Sequence, residues 1–150
     1  MMREEKTMAE DTVLITRIVN APPALVFNAW IKREEWEAWI GPKGRQCDIP
    51  LLEPRVGGKL RVTMRLADGS VVPVAGEYKE IEAPRSLAFS WGREGGDPSR
   101  HTLITLSLRA QENKTQLTFR QEGLGSIASR DAHVVGWNET LDKLDRYLAR

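Results

Sequence analysis

A change of hydrophobic period divides this 150-residue chain and limits the folds that it can adopt. From Gln46 onward, apolar and polar residues alternate, as in LRVTMRL (60–66). Such alternation predicts strands that are buried on one face only. The run GWNETLDKLDRYL (136–148) instead places a tryptophan and three leucines at helical spacing. The chain must therefore combine a sheet that is apolar on one face with one long amphipathic helix.

Short turns join the predicted strands. They contain Asp68-Gly69, Glu82–Arg85 and Gln111–Lys114, and an Asp-Gly pair favours a tight hairpin. Strands connected in this way pair antiparallel, and one apolar face needs one covering layer. We expect the C-terminal helix to be that cover, beginning with Ser129 as the N-cap and ending near Leu148, over ~30 Å.

The segment before the sheet predicts a strand followed by two short helices. Thr12–Asn20 is rich in β-branched residues, and Ala21-Pro22-Pro23 ends it. ALVFNAWI (24–31) and REEWEAWI (33–40) follow, each with an amphipathic stripe. The order of elements is that of an α+β fold.

Composition argues against several classes of function. The chain has 22 Lys and Arg against 21 Asp and Glu, a net charge of +1, so no global field attracts nucleic acid. Cys47 is the single cysteine, which rules out an internal disulfide, and a small core residue is its simplest interpretation. The two histidines, His101 and His133, lie far apart without a metal-ligand spacing. We expect no metal and no cofactor.

The N-terminus MMREEKTMAED is charged and has no apolar core of the kind that secretion signals carry. We expect residues 1–10 to be a disordered tail, with Met1 or Met8 as the start, and residues 11–150 to form a single domain. No apolar run approaches the ~20 residues of a membrane span. A cytoplasmic protein is the expectation.

Four motifs in order resemble one known family. ITRIVNAPPALVFNAWIKREEWEAWIGPKG, GGKLRVTM, GEYKEIEAPRSLAFSW and GWNETLDKLDRYL are similar to its opening strand and helices, its meander strands and its closing helix. The family comprises small proteins related to the C-terminal domain of the activator of heat-shock protein 90 ATPase, within the START/SRPBCC superfamily. The resemblance covers residues 12–150 and implies a helix-grip fold, in which a curved antiparallel sheet wraps around a long C-terminal helix.

The resemblance also implies a hydrophobic cavity between the sheet and the helix. We expect a small apolar molecule to bind there, against residues on the apolar sheet face and the N-terminal half of the helix. Tyr78 and His133 would orient the ligand through hydrogen bonds. The predicted wall consists of Met64, Val74, Tyr78, Phe89, Trp91, His133, Val134 and Trp137.

Several of these residues have a simpler interpretation. Trp91 and Trp137 fit either ligand stacking or core filling. His133 fits either a cavity group or a flank residue packed on Trp137, its i+4 neighbour. Gly136 costs a helix ~1 kcal/mol relative to Ala, and either close packing or space left for a ligand explains it.

Two alternatives to ligand binding stay open. One is a cyclase or hydrolase that uses His133, Tyr78 or Glu80 for proton transfer, although no catalytic constellation is visible. The other is a protein-interaction role of the chaperone co-activator kind. A homodimer is also left open.

Overall fold

The computed structural model describes residues 10–41, 43–44 and 46–150. The predicted disordered tail therefore lies outside the described residues except for Glu10, as does the choice between Met1 and Met8. The assignment of residues 11–150 to a single domain stays a prediction.

Within the described part of the chain, seven antiparallel strands form one sheet. They are β1 (Val13–Val19), β2 (Gln46–Leu52), β3 (Lys59–Arg65), β4 (Val71–Glu82), β5 (Ser86–Arg93), β6 (Thr102–Gln111) and β7 (Lys114–Glu122). Their order across the sheet is β1-β7-β6-β5-β4-β3-β2. Strands β2 to β7 are a meander of neighbours in sequence, and β1 closes the far edge by pairing with β7. The predicted antiparallel meander is confirmed.

Three α-helices accompany the sheet: α1 (Pro23–Ile31), α2 (Arg33–Glu37) and α3 (Ile127–Leu148). The prediction of Ser129 as the N-cap of α3 is wrong. Ser126 is the cap, and its hydroxyl accepts a 3.0 Å hydrogen bond from the backbone N–H of Ser129. The helix is therefore longer than predicted by most of a turn. Ser126 has extended backbone angles and pairs with the backbone N–H of Ser129, which would lack this partner if Ser129 were itself the cap. The predicted end at Leu148 is confirmed.

The inner face of the sheet packs against the helices, while its outer face is more polar. Leu60, Leu87, Ile104, Leu117 and Leu144 have no exposed surface. This arrangement is the helix-grip fold, and the predicted α+β class is confirmed.

An ion-pair cluster attaches the C-terminal half of α3 to the edge strand β1. The guanidinium of Arg17, on the inner face of β1, contacts Asp142 at 2.9 Å and Asp145 at 3.0 Å. It also donates to the backbone and side-chain oxygens of Asn138, at 3.1 and 3.0 Å. Asp145 is half-buried in this cluster. Charge, as well as apolar burial, therefore holds the helix on the sheet.

Four buried indoles meet at the centre of the core and are called the tryptophan quartet below: Trp30, Trp36, Trp91 and Trp137. Consecutive ring centroids around the quartet lie 6.0, 6.1, 6.0 and 6.3 Å apart. Aromatic pairs at this distance add to the free energy of burial. The quartet joins α1, α2, β5 and α3, so the positions of its members depend on one another.

Candidate ligand cavity

A cavity of about 240 Å³ lies between α3, the end of β5 and the segment that follows α2. Its lining combines apolar side chains with two polar groups and one helical glycine. The lining residues are Ile40, Gly41, Met64, Trp91, Ala132, His133, Gly136, Trp137 and Thr140.

Two members of the tryptophan quartet, Trp91 and Trp137, form the inner wall. Their ring centroids lie 6.0 Å apart, and the rings are inclined by 57°. Only 8% of Trp91 and 6% of Trp137 is exposed, whereas Ala132 on the same helix is an exposed residue. The cavity therefore runs from a mouth at Ala132 to a floor of indole rings.

Hydrogen bonds connect the indole of Trp137 to the backbone of Trp91. Trp137 Nε1 donates to Gln121 Oε1 at 2.8 Å, and Gln121 Nε2 donates to Thr102 Oγ1 at 2.9 Å. The Thr102 hydroxyl in turn donates to the backbone oxygen of Trp91 at 2.8 Å. Gln121 is completely buried. These three hydrogen bonds link Trp137 to β5. The orientation of the Trp137 ring relative to β5 is therefore determined by polar contacts as well as by packing.

The polar groups of the cavity come from α3. His133 Nδ1 lies 2.7 Å from the backbone oxygen of Ser129, and a carbonyl oxygen accepts only, so Nδ1 carries the hydrogen. In the neutral ring, Nε2 is then left as an acceptor. The hydroxyl of Thr140 donates to the Gly136 carbonyl at 2.8 Å. The lone pairs of the Thr140 oxygen can then accept a further hydrogen bond. A ligand would meet acceptors at His133 and Thr140.

Four of the eight predicted wall residues line this cavity: Met64, Trp91, His133 and Trp137. The other four, Val74, Tyr78, Phe89 and Val134, are not among its lining residues. Tyr78 and Phe89 are completely buried and contact each other edge to face at 6.0 Å. They lie on the inner sheet face as expected, but deeper in the core than the cavity.

The Tyr78 hydroxyl, which was expected to orient a ligand, has no hydrogen-bond partner among the described residues. Burial raises the pKa of this phenol far above its ordinary value. The hydroxyl is therefore neutral at physiological pH and isolated in an apolar environment.

Sequence reasoning missed four lining residues: Ile40, Gly41, Ala132 and Thr140. Ala132 and Thr140 lie four residues before and after Gly136, so helical spacing places all three on one face. That signal was present in the sequence. Ile40 and Gly41 follow α2 and reach the cavity only through the tertiary structure.

The residues considered for catalysis do not converge. Of His133, Tyr78 and Glu80, only His133 lines the cavity. The Glu80 carboxylate is exposed and accepts a 2.6 Å hydrogen bond from Ser86. Within the described ranges, no three His, Cys, Asp or Glu side chains are grouped as metal ligands. His101 is half-buried, and its ring packs against Gly92, where a Cβ would clash with it.

The fold agrees with a comparison against known families. The family described as "Activator of Hsp90 ATPase homolog 1-like protein" matches residues 20–149. The chain belongs to this family. The resemblance that the four motifs carry is thereby confirmed, and the family match spans every element of the fold except β1.

Solved structures share this fold at low sequence identity. A protein from Chromobacterium violaceum is 21% identical with a TM-score of 0.84, over 92% of this chain and 96% of the other. One from Arthrobacter aurescens is 25% identical with a TM-score of 0.82, over 97% and 90%. CalU16 from Micromonospora echinospora is 22% identical with a TM-score of 0.68, over 91% and 74%.

No curated protein matches the sequence significantly. Among the described residues, no helix has both the length and the apolar character needed to cross a bilayer.

Proposed function

We propose that this protein is a cytoplasmic binding protein that takes a small apolar molecule of one or two rings into the cavity. The observation that carries the proposal is the pair Trp91 and Trp137, two nearly buried indoles that border about 240 Å³ of space. Typical pockets for drug-sized ligands measure about 300–1,000 Å³, so this space suits a smaller molecule.

Apolar burial supplies most of the affinity in this proposal. A ligand that buries about 200 Å² of apolar surface gains about 5 kcal/mol before the costs of association are subtracted. Stacking on an indole adds about 0.5–1.5 kcal/mol. Because these gains come to about 6 kcal/mol before that subtraction, we expect dissociation constants no tighter than about 10 μM.

His133 supplies orientation. With Nδ1 donating to Ser129, the neutral ring offers Nε2 as an acceptor to a hydroxyl or N–H on the ligand. Tyr78 has no part in this revised proposal, because its hydroxyl is not at the cavity. Met64, half-buried at the opposite wall, adapts to ligand shape.

The test is titration with 1-aminonaphthalene, a neutral apolar fluorophore of two rings, monitored by probe emission and by tryptophan quenching. Ala132→Trp places a large side chain at the cavity mouth without disturbing a buried position. Val135→Trp is the matched control, because Val135 is 60% exposed and is not among the residues that line the cavity.

We expect Ala132→Trp to weaken probe binding at least ~10-fold, or ~1.4 kcal/mol, and the control to change it by less than ~2-fold. Equal binding by both variants would place the probe elsewhere and remove the basis of the proposal. Chaperone interaction and enzymatic turnover stay predictions that this titration does not address.

A further inference from the structure

The last turns of α3 separate their charges onto two flanks. Asp142 and Asp145 face β1, where Arg17 binds both. The basic residues face the opposite side and line a groove of about 670 Å³ against the segment that follows α2. The groove is lined by Ala38, Lys43, Gly44, Gln46, Lys143, Arg146, Tyr147 and Arg150.

Four of these eight residues are cationic, and none is acidic. The chain as a whole has a net charge of only +1, so this concentration is local. Clefts lined by one sign of charge raise the local concentration of ions of the opposite sign.

Two carboxylates beside the groove accept hydrogen bonds from uncharged groups. Glu139 accepts a hydrogen bond from the backbone N–H of Lys43 at 3.1 Å, and Glu35 accepts one from the Tyr147 hydroxyl at 3.0 Å. Within the described part of the chain, no ion pair joins the side chain of Lys43 or Arg146 to a carboxylate.

Lys143 lies at the base of the groove. Its ammonium donates to the backbone oxygens of Ile40 at 3.3 Å and Gly41 at 3.0 Å. Desolvation lowers the pKa of Lys143, Cys47 raises it in part, and the nearby Arg146 charge lowers it further. Both lowering effects oppose a positive charge at this position, and a bound anion would offset both.

We propose that the groove binds a small multivalent oxyanion, a phosphate ester or a polycarboxylate. A planar guanidinium from Arg146 matches such oxygens in a bidentate fashion, and the ammonium groups of Lys43 and Lys143 contribute point charges. Arg150, whose guanidinium lies 4.1 Å from the Tyr147 ring centroid, forms the outer rim.

This anion site is separate from the cavity. The lining of the groove shares no residue with that of the cavity. The inference therefore goes beyond the proposed function, and either can fail without the other.

The experiment is titration of the full chain with pyrophosphate and, in parallel, with citrate, by calorimetry and by amide chemical shifts. It is run at about 0.01 M and about 0.15 M ionic strength, where the screening length falls from about 30 to about 8 Å. The groove variant is Lys43→Gln with Arg146→Gln. The control is Arg109→Gln with Lys114→Gln. It removes the same charge from two exposed positions, one on β6 and one at the start of β7.

We expect saturable binding of at least one anion below about 1 mM at low salt, weakened at least ~10-fold in the groove variant and under ~2-fold in the control. Pyrophosphate alone binding would specify a phosphate ester, and equal binding of citrate would specify a site defined by charge. Non-saturable binding, or equal losses in both double variants, would overturn the proposal. Unchanged thermal unfolding excludes misfolding as the cause.

Discussion

Trp137 on α3 donates its indole hydrogen to the side-chain oxygen of Gln121 on β7, with 2.8 Å between Nε1 and Oε1, and Gln121 is completely buried. The Gln121 amide donates onward to Thr102, so one glutamine satisfies groups on a helix and on a neighbouring strand. The relationship makes Gln121 a positioning residue for the wall of the cavity, although it does not line the cavity.

Gln121→Leu removes the acceptor of the Trp137 indole and the donor to Thr102 at once. The Trp137 indole hydrogen is then buried without an acceptor. We expect a loss of about 1–3 kcal/mol in the free energy of unfolding, measured by urea denaturation. Gln116→Leu, on the same strand but half-buried, is the control. Similar losses in both variants would show that the hydrogen bonds of Gln121 have no special weight.

Arg17→Met removes the cation that joins Asp142, Asp145 and Asn138 to β1. We expect a loss of about 1–3 kcal/mol, because the guanidinium makes four polar contacts and only 18% of its side chain is exposed. Arg61→Met removes an exposed pair with Glu94 at 3.7 Å, for which about 0–1 kcal/mol is expected. A small effect of Arg17→Met would assign the attachment of α3 to apolar packing alone.

Asp145→Asn gives a sharper test of the same cluster. Burial raises the pKa of Asp145 above its ordinary value, although Arg17 offsets part of this rise. The folded protein therefore binds a proton at this carboxyl more tightly than the unfolded chain does. Stability from this group is present at acid pH and is lost as pH rises through its folded pKa. We therefore expect Asp145→Asn to cost less at pH 7 than Arg17→Met, and a larger cost would contradict this order.

Gly136→Ala separates the two explanations for a glycine inside α3. Ala132 and Thr140, four residues away on either side, line the cavity, so a methyl group at position 136 enters the cavity. We expect weaker 1-aminonaphthalene binding together with a helix stabilised by up to ~1 kcal/mol. Val135→Ala on the exposed flank is the control for binding. A destabilised Gly136→Ala variant would instead identify close packing as the reason for the glycine.

Tyr78→Phe removes a buried hydroxyl that has no partner among the described residues. We expect the free energy of unfolding, measured by urea denaturation, to rise by up to about 1–3 kcal/mol, since the desolvation cost of the hydroxyl disappears. Probe affinity is expected to stay the same because Tyr78 does not line the cavity. A marked loss of probe affinity would restore the hydroxyl to the binding site.

Cys47 is expected to react slowly with thiol reagents. Only 7% of the residue is exposed, and burial raises the pKa of its thiol to about 11, against a partial lowering by Lys143. At pH 8 about one thiol in a thousand is then ionised, and the thiolate is the reactive form. Alkylation by iodoacetamide in native protein should accelerate up to about pH 11, and a plateau near pH 8 would contradict the raised pKa.

Local patterns were enough to predict most of the fold. The alternation around LRVTMRL, the Asp68-Gly69 turn and the helical spacing of 136–148 each depend on residues close in sequence. Those patterns predicted the meander and the end of α3. The start of α3 was misplaced because Ser126 and Ser129 are both good caps, and the backbone of the preceding loop decides between them.

The cavity could be predicted only in part. Periodicity indicates which face a residue occupies, and on that basis Phe89 and Trp91 of β5 are equivalent. They differ in depth: Phe89 is completely buried, while Trp91 lies one pleat further along and borders the cavity. The segment at Ile40 and Gly41 decides where the space begins, and its position follows from packing against α3.

By itself, the sequence determined the sheet, the covering helix and the family, because these depend on short-range periodicity and ordered motifs. Tertiary structure alone decided that Arg17 meets Asp142 and that Trp137 meets Gln121, at separations of 125 and 16 residues. Buried polar groups need partners in space, and no local pattern specifies which distant residue supplies one. The groups that position the cavity wall are of this kind.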